Sequence, residues 1–128
     1  MAGFRFDHLG LKVKDVDRAV DFYTRILGFR HLETVQVGGK DFIFVGDDRV
    51  RIEIEPALEG SHPPDNNFGT GIQHLAFLVD DLEAEAARLK SLGVKFILGP
   101  AQFRPDRKIA FFEDPEGTRI QMIQMLKP

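Results

Sequence analysis

The apolar positions of this chain switch from a period of two to a period near 3.6 and back, and they do so twice. Residues 4–13 alternate, with Leu9, Leu11 and Val13 on one face and Phe6, His8, Gly10 and Lys12 on the other, the pattern of a half-buried strand. Asp15 suits a helix N-cap, and the apolar residues then recur at 16, 19, 20, 23, 26 and 27 along one helical stripe. Gly28 suits the left-handed position that closes such a helix. Strands are predicted over 29–37, 42–45 and 50–55, with turns at Gly38-Gly39 and Gly46-Asp47-Asp48. In the third of these, Val50, Ile52 and Ile54 alternate strictly with Arg51, Glu53 and Glu55 until Pro56 stops the ladder. Residues 57–71 carry Gly, Ser, Pro-Pro and Asn-Asn, a composition that reads equally as a plain linker or as a lid. Beyond it the scheme returns. A strand over 72–79 sets Leu75, Phe77 and Val79 against His74, Ala76 and Leu78. A helix runs from an Asp81 cap to about Leu92 and stops at Gly93. A strand over 94–98, a proline-containing loop over 99–107, a strand over 108–113 and a tight turn at Asp114–Gly117 lead to a last strand over 118–125. That strand presents Arg119, Gln121 and Ile123 on one face.

The two halves are copies of one unit. His8 and His74 stand 66 residues apart, as do Asp15 and Asp81, while Gly28 and Gly93 are 65 apart and Glu53 and Gln121 are 68 apart. Self-similarity at a nearly fixed offset signals a duplicated structural unit. The expected fold is α+β: two tandem βαβββ modules, one over 4–56 and one over 72–126, making a single domain of residues 1–128 whose mixed sheet curves around a central cavity.

Composition narrows the function more than the fold. The chain has 128 residues, enough for one real core, and its make-up is that of an ordinary globular protein. A net charge of −3 gives no electrostatic hold on nucleic acid or an anionic membrane, and neither is expected as a partner. The absence of cysteine excludes disulfides and thiolate ligands. No apolar run approaches the ~20 residues of a membrane span, and the start lacks the apolar core of a signal peptide, so the cytoplasm is the expected compartment.

Each unit has one strand face for its helix and a second face left to look elsewhere. That second face carries His8 with Glu53 in one unit and His74 with Gln121 in the other. If the units pair about a pseudo-twofold axis, two imidazoles, a carboxylate and an amide converge, a mixed nitrogen and oxygen set suited to a divalent first-row metal, one ion per site: Zn, Ni, Co, Mn or Fe. His31 and His62 lack such partners and read as surface residues; Tyr23 reads as core, and Glu83, Glu85, Arg88 and Lys90 as a solvated helix face.

Three segments carry a family resemblance: His8 to Phe29, including Ala19–Phe29 (AVDFYTRILGF); Gly71 to Gly93; and Phe111 to Gln124 (FFEDPEGTRIQMIQ). On them the chain resembles the vicinal oxygen chelate superfamily of glyoxalases, bleomycin-resistance proteins and dioxygenases, in particular glyoxalase I and methylmalonyl-CoA epimerase. The resemblance implies metal ligands at His8, Glu53, His74 and Gln121. Gln121 departs from the glutamate that most catalytic members carry in the last strand, which weighs against dioxygenase and fosfomycin-type chemistry. Epimerases resemble a His-Gln unit followed by a His-Glu unit; here the order is exchanged. The implied activity is that of a metal-dependent lyase or isomerase stabilising an enediolate or enolate of a small oxygenated substrate. Glu53 would move the proton and Glu55 stand as the reserve base. Arg51 and Arg119 would hold an anionic group or form rim ion pairs with Glu53 or Glu55, and Phe111, Phe112, Leu78 and Ile123 would line an apolar wall. The alternative is a metal-free ligand-binding protein of the bleomycin-resistance type. Relatives often build the site across a dimer, so a homodimer with shared sites is expected, holding a small-molecule substrate or ligand.

Overall fold

In the computed structural model, residues 3–61 and 71–127 are described. The chain divides into two units, Met1–His62 and Pro63–Pro128, and the boundary falls within the 57–71 stretch. His62 and most of that stretch lie outside the described residues.

The first unit runs β1 (Leu9–Val13), α1 (Val16–Asp21) continued by a π-helical segment (Phe22–Ile26), β2 (Arg30–Val37), β3 (Lys40–Gly46) and β4 (Arg51–Pro56). Its four strands form one mixed sheet in the order β1-β4-β3-β2, with β1 parallel to β4 and the rest antiparallel. A parallel pair needs a crossover, and α1 supplies it. The second unit repeats this with β5 (His74–Leu78), α2 (Leu82–Ser91), β6 (Phe96–Arg104), β7 (Arg107–Glu113) and β8 (Arg119–Met125), in the order β5-β8-β7-β6. Both units are therefore βαβββ, the α+β arrangement expected from the sequence.

The caps fall where the side chains dictate. Asp15 accepts from the Arg18 amide at 3.0 Å and Asp81 from the Ala84 amide at 3.1 Å, satisfying helix-end donors that would otherwise be orphaned. Gly28 and Gly93 take φ of 87° and 86°, a left-handed conformation costly to any residue with a Cβ. Each returning strand is entered through an aspartate-organised turn. Asp47 accepts from the Arg49 and Val50 amides, and Asp114 from those of Glu116 and Thr118.

The cores lie between each sheet and its helix. Val13, Ala19, Phe22, Tyr23, Ile26, Val45, Ile52 and Ile54 are buried in the first unit; Leu82, Ala86, Leu89, Ala110, Phe112, Ile120 and Met122 in the second.

Three expectations are corrected. The first strand begins at Leu9, where its ladder starts against Ile52, so residues 4–8 precede the sheet and Phe4 and Phe6 are exposed. The first helix widens: the Leu27 amide bonds the Phe22 carbonyl at 3.0 Å, an i→i+5 closure, and the Thr24 hydroxyl donates to the Val20 carbonyl at 2.7 Å. The wider turn brings Phe22, off the predicted stripe, into the core beside Tyr23. Finally, 99–104 is strand. β6 is an edge strand, which tolerates Pro100, and three register shifts against β7 absorb the irregularity.

Candidate metal centre

Strand register makes the two units equivalent residue by residue. Gly10 pairs with Glu53 and Ala76 with Gln121 across the parallel ladders. On the other side of the same strands, Phe44 pairs with Glu53 and Phe111 with Gln121. Glu53 and Gln121 thus hold one position in two copies, as do Phe44 and Phe111.

In the first unit His8 stands just before β1. Its Nε2 lies 3.5 Å from Glu53 Oε1, its Nδ1 lies 2.7 Å from Asp7 Oδ2, and its ring meets Phe44 edge-on at 5.2 Å between centroids. A carboxylate only accepts, so the His8 Nδ1–H donates to Asp7. This bond holds the Asp7 carboxyl below the usual carboxylate range. In the neutral ring, Nε2 then carries a lone pair, and it faces an oxygen of Glu53. A lone pair turned toward a carboxylate oxygen is satisfied by a cation between them, either a proton or a metal ion. Two donors each about 2.0–2.2 Å from one ion at a tetrahedral angle stand about 3.4 Å apart, close to the observed separation. A ligating histidine whose second nitrogen donates to a carboxylate is also the usual arrangement at metal sites.

The carboxylates beyond His8 are packed together. Glu53 and Glu55 share the open face of β4, with side chains 18% and 17% exposed. A hydrogen bond between them pushes the Glu53 carboxyl up, assisted by burial and the Glu55 charge. The same bond, with Lys12 at 3.0 Å, holds Glu55 down. The pair sits over Gly10, where a Cβ would come within 2.8 Å of Glu55 Oε2. Arg51 pairs with Glu33 at 3.3 Å and lies 4.7 Å over the Phe44 ring, so its ion-pair partner is on β2 and is neither Glu53 nor Glu55.

The second unit repeats the frame with different chemistry. His74 is the first residue of β5; its Nδ1–H donates to Gln73 Oε1, and its ring meets Phe111 edge-on at 5.3 Å. Gln121 stands half-buried at the position equivalent to Glu53. The position equivalent to Glu55 is Ile123, and that equivalent to Lys12 is Leu78, which is 73% exposed. Arg119 pairs in register with His74 and Glu113. Phe112 is corrected as a wall residue: the pleat turns it to the opposite face from Phe111, and it is 1% exposed in the core against Phe96. His31, on β2, is exposed and bonds Thr34 at 2.7 Å.

Among the described residues no three His, Asp or Glu side chains gather closely enough to hold a metal ion. Each unit offers a two-donor set: an imidazole nitrogen with a carboxylate in one, and an imidazole nitrogen with an amide in the other. Sequence reasoning overlooked Asp7, Gln73, Phe44, Gly10 and Lys12. The signal was present, since Asp7 and Gln73 keep the 66-residue offset of the histidines and Phe44 and Phe111 are 67 apart.

Known proteins bear on this geometry. The sequence pattern of the Glyoxalase/Bleomycin resistance protein/Dioxygenase superfamily matches residues 5–122. The chain is 34% identical to a lactoylglutathione lyase of Haemophilus influenzae, over 91% of this chain and 90% of that one. It is 31% identical to a lactoylglutathione lyase of Pseudomonas aeruginosa, over 93% and 81% respectively. Among solved structures it is similar to TnmS3, an antibiotic binding protein from Streptomyces sp. CB03234, with 25% identity, a TM-score of 0.77 and coverage of 98% of this chain and 99% of that one.

Proposed function

The chain belongs to the Glyoxalase/Bleomycin resistance protein/Dioxygenase superfamily, and on that footing we propose that it is a divalent-metal-dependent lyase or isomerase of the glyoxalase or epimerase type. The observation that carries the reading is the approach of His8 Nε2 to Glu53 Oε1 at 3.5 Å, a spacing two ligands of one ion would have. His8 and Glu53 form one half of the ligand set, His74 and Gln121 the other, for one ion of Zn, Ni, Co, Mn or Fe. A bound ion would supply Lewis acidity to a substrate oxygen.

The chain's own groups do the rest. Glu53, with its raised affinity for a proton, is suited to take one from carbon beside a carbonyl and return it. Glu55, anionic beside Lys12, is the reserve base. Gln121 orients oxygen but cannot act as a base. Arg51 and Arg119 hold an anionic group, while Phe111, Leu78 and Ile123 give the substrate an apolar wall. The ligand halves are supplied by two copies of the chain in a homodimer.

A second reading stays in view because Gln121, Ile123 and Leu78 leave the second unit without a carboxylate pair, and because the chain is similar to an antibiotic binding protein. In that reading the same faces hold a ligand without metal or turnover. One assay separates the two. The protein is loaded with each metal in turn and incubated in D2O with S-lactoylglutathione, then with other thioesters that carry a hydrogen on the carbon beside the carbonyl. Metal-dependent deuterium entry at the carbon beside the carbonyl, lost in Glu53→Gln, is the expected result. Absence of exchange with every metal and substrate contradicts the enzyme reading and leaves the binding one.

A further inference from the structure

In an extended strand, consecutive side chains point to opposite faces, so a residue and its immediate neighbour rarely meet through their side chains. Here they meet twice, at the same place in both units. Asp7 holds His8 Nδ1 at 2.7 Å, and Gln73 holds His74 Nδ1. Both contacts fall where the chain enters its first strand: His8 precedes Leu9, and His74 opens β5. Nδ1 is the ring nitrogen nearer the backbone, within reach of a neighbouring side chain, and each neighbour offers an oxygen that can only accept. Each ring also meets an equivalent phenylalanine edge-on, Phe44 or Phe111, at 5.2 and 5.3 Å.

We propose that Asp7 and Gln73 are the positioning residues of the two histidines. Each takes the Nδ1–H of the ring that follows it, fixes the neutral imidazole as the Nδ1–H tautomer, and so presents Nε2 with its lone pair to a coordinated cation. The proposal rests on the metal-centre reading for its purpose, while its structural content stands in the metal-free protein. Without the tether, an imidazole in water favours the Nε2–H form, which blocks the coordinating nitrogen with a proton. The phenylalanine then limits ring rotation and the oxygen chooses the tautomer. The tethers differ in charge. Asp7 offers a carboxylate to the Nδ1–H, a stronger acceptor than the neutral Gln73 amide.

Long-range 15N–1H correlation spectra of the metal-free protein, at a pH where the imidazoles are neutral, test this directly. Both histidines are expected as Nδ1–H in the unaltered chain. Asp7→Ala moves His8 alone toward Nε2–H, Gln73→Ala moves His74 alone, and Asp7→Asn, which keeps an acceptor oxygen, leaves His8 as it was. Asp7 is exposed and lies before the sheet, so its variants retain the fold. Zn2+ affinity, read by competition with a chromophoric chelator, should fall about 10–100-fold in Asp7→Ala and less in Gln73→Ala. An Nε2–H histidine in the unaltered chain, or an unmoved His8 in Asp7→Ala, overturns the assignment. Tautomers that respond as stated in a protein that takes up no Zn2+ uphold the tethers and count against the metal reading alone.

Discussion

The Glu53 and Glu55 carboxyls are shifted in opposite directions by their contact, and the pH dependence follows from the direction of each shift. The Glu53 carboxyl is raised, first by its bond with Glu55. The folded chain therefore binds more protons there than the unfolded one, and this contribution to stability falls as pH climbs from the usual glutamate value through the raised one. Glu55 is lowered, so its contribution is complete above the usual value and is lost as pH falls through its own. Glu53→Gln keeps a hydrogen bond to Glu55 and removes the opposed charge. The metal-free variant should exceed the unaltered chain in stability at pH 7 by about 0.5–1 kcal/mol, the scale of one net hydrogen bond, with the difference gone below about pH 4. Denaturant titrations at both pH values check this; equal stability at both would contradict the coupling between the two carboxyls. The adjacent phenylalanines offer a second contrast. Phe112→Ala opens a cavity in a closed core and should cost about 3–5 kcal/mol. Phe111→Ala, on the half-buried face beside His74, should cost less stability and act chiefly on ligand or metal binding, which calorimetry and denaturant midpoints separate.

At the scale of elements, the local signals were strong where one residue decides the conformation. Asp15, Asp81, Gly28 and Gly93 marked helix ends correctly because caps and left-handed positions are set by side-chain chemistry over a few residues. Gly28→Ala and Gly93→Ala should each cost about 1–2 kcal/mol, read as a shifted denaturant midpoint at constant slope. The failures came where tertiary contacts overrule period. The π-helical turn that buries Phe22 has no periodic signature, and the prolines around 100–105 concealed an edge strand that register shifts keep paired. The start of β1 depended on where β4 begins, which no local pattern within 4–13 reveals.

At the scale of the whole chain, the repeat was the most legible feature and did the most to single out the candidate site. The offset of His8 and His74 selected two of four histidines, and strand register places Glu53 and Gln121 in equivalent positions beside equivalent phenylalanines. What the repeat concealed was the divergence within the frame. Glu55 and Lys12 became Ile123 and Leu78, and Asp7 became Gln73, so the two units are alike in geometry and unlike in charge. A shared site across a homodimer has a distinct signature. His8→Ala and His74→Ala chains, each unable to form an intact ligand set alone, should regain about a quarter of a metal ion per chain when equal amounts are unfolded and refolded together, because about half of the dimers are mixed and one of the two sites in each pairs the intact His8 with the intact His74. No recovery would place all four ligands within one chain.

The central claim is that His8, Glu53, His74 and Gln121 hold one divalent ion. The most direct test is the metal content of the protein purified without chelators and again after reconstitution with Mn, Fe, Co, Ni and Zn, measured by plasma mass spectrometry beside His8→Ala and His74→Ala. About one ion per chain, lost in both variants, is the predicted result. A protein that takes up no metal under any of these conditions, or that keeps its metal without either histidine, would contradict the account.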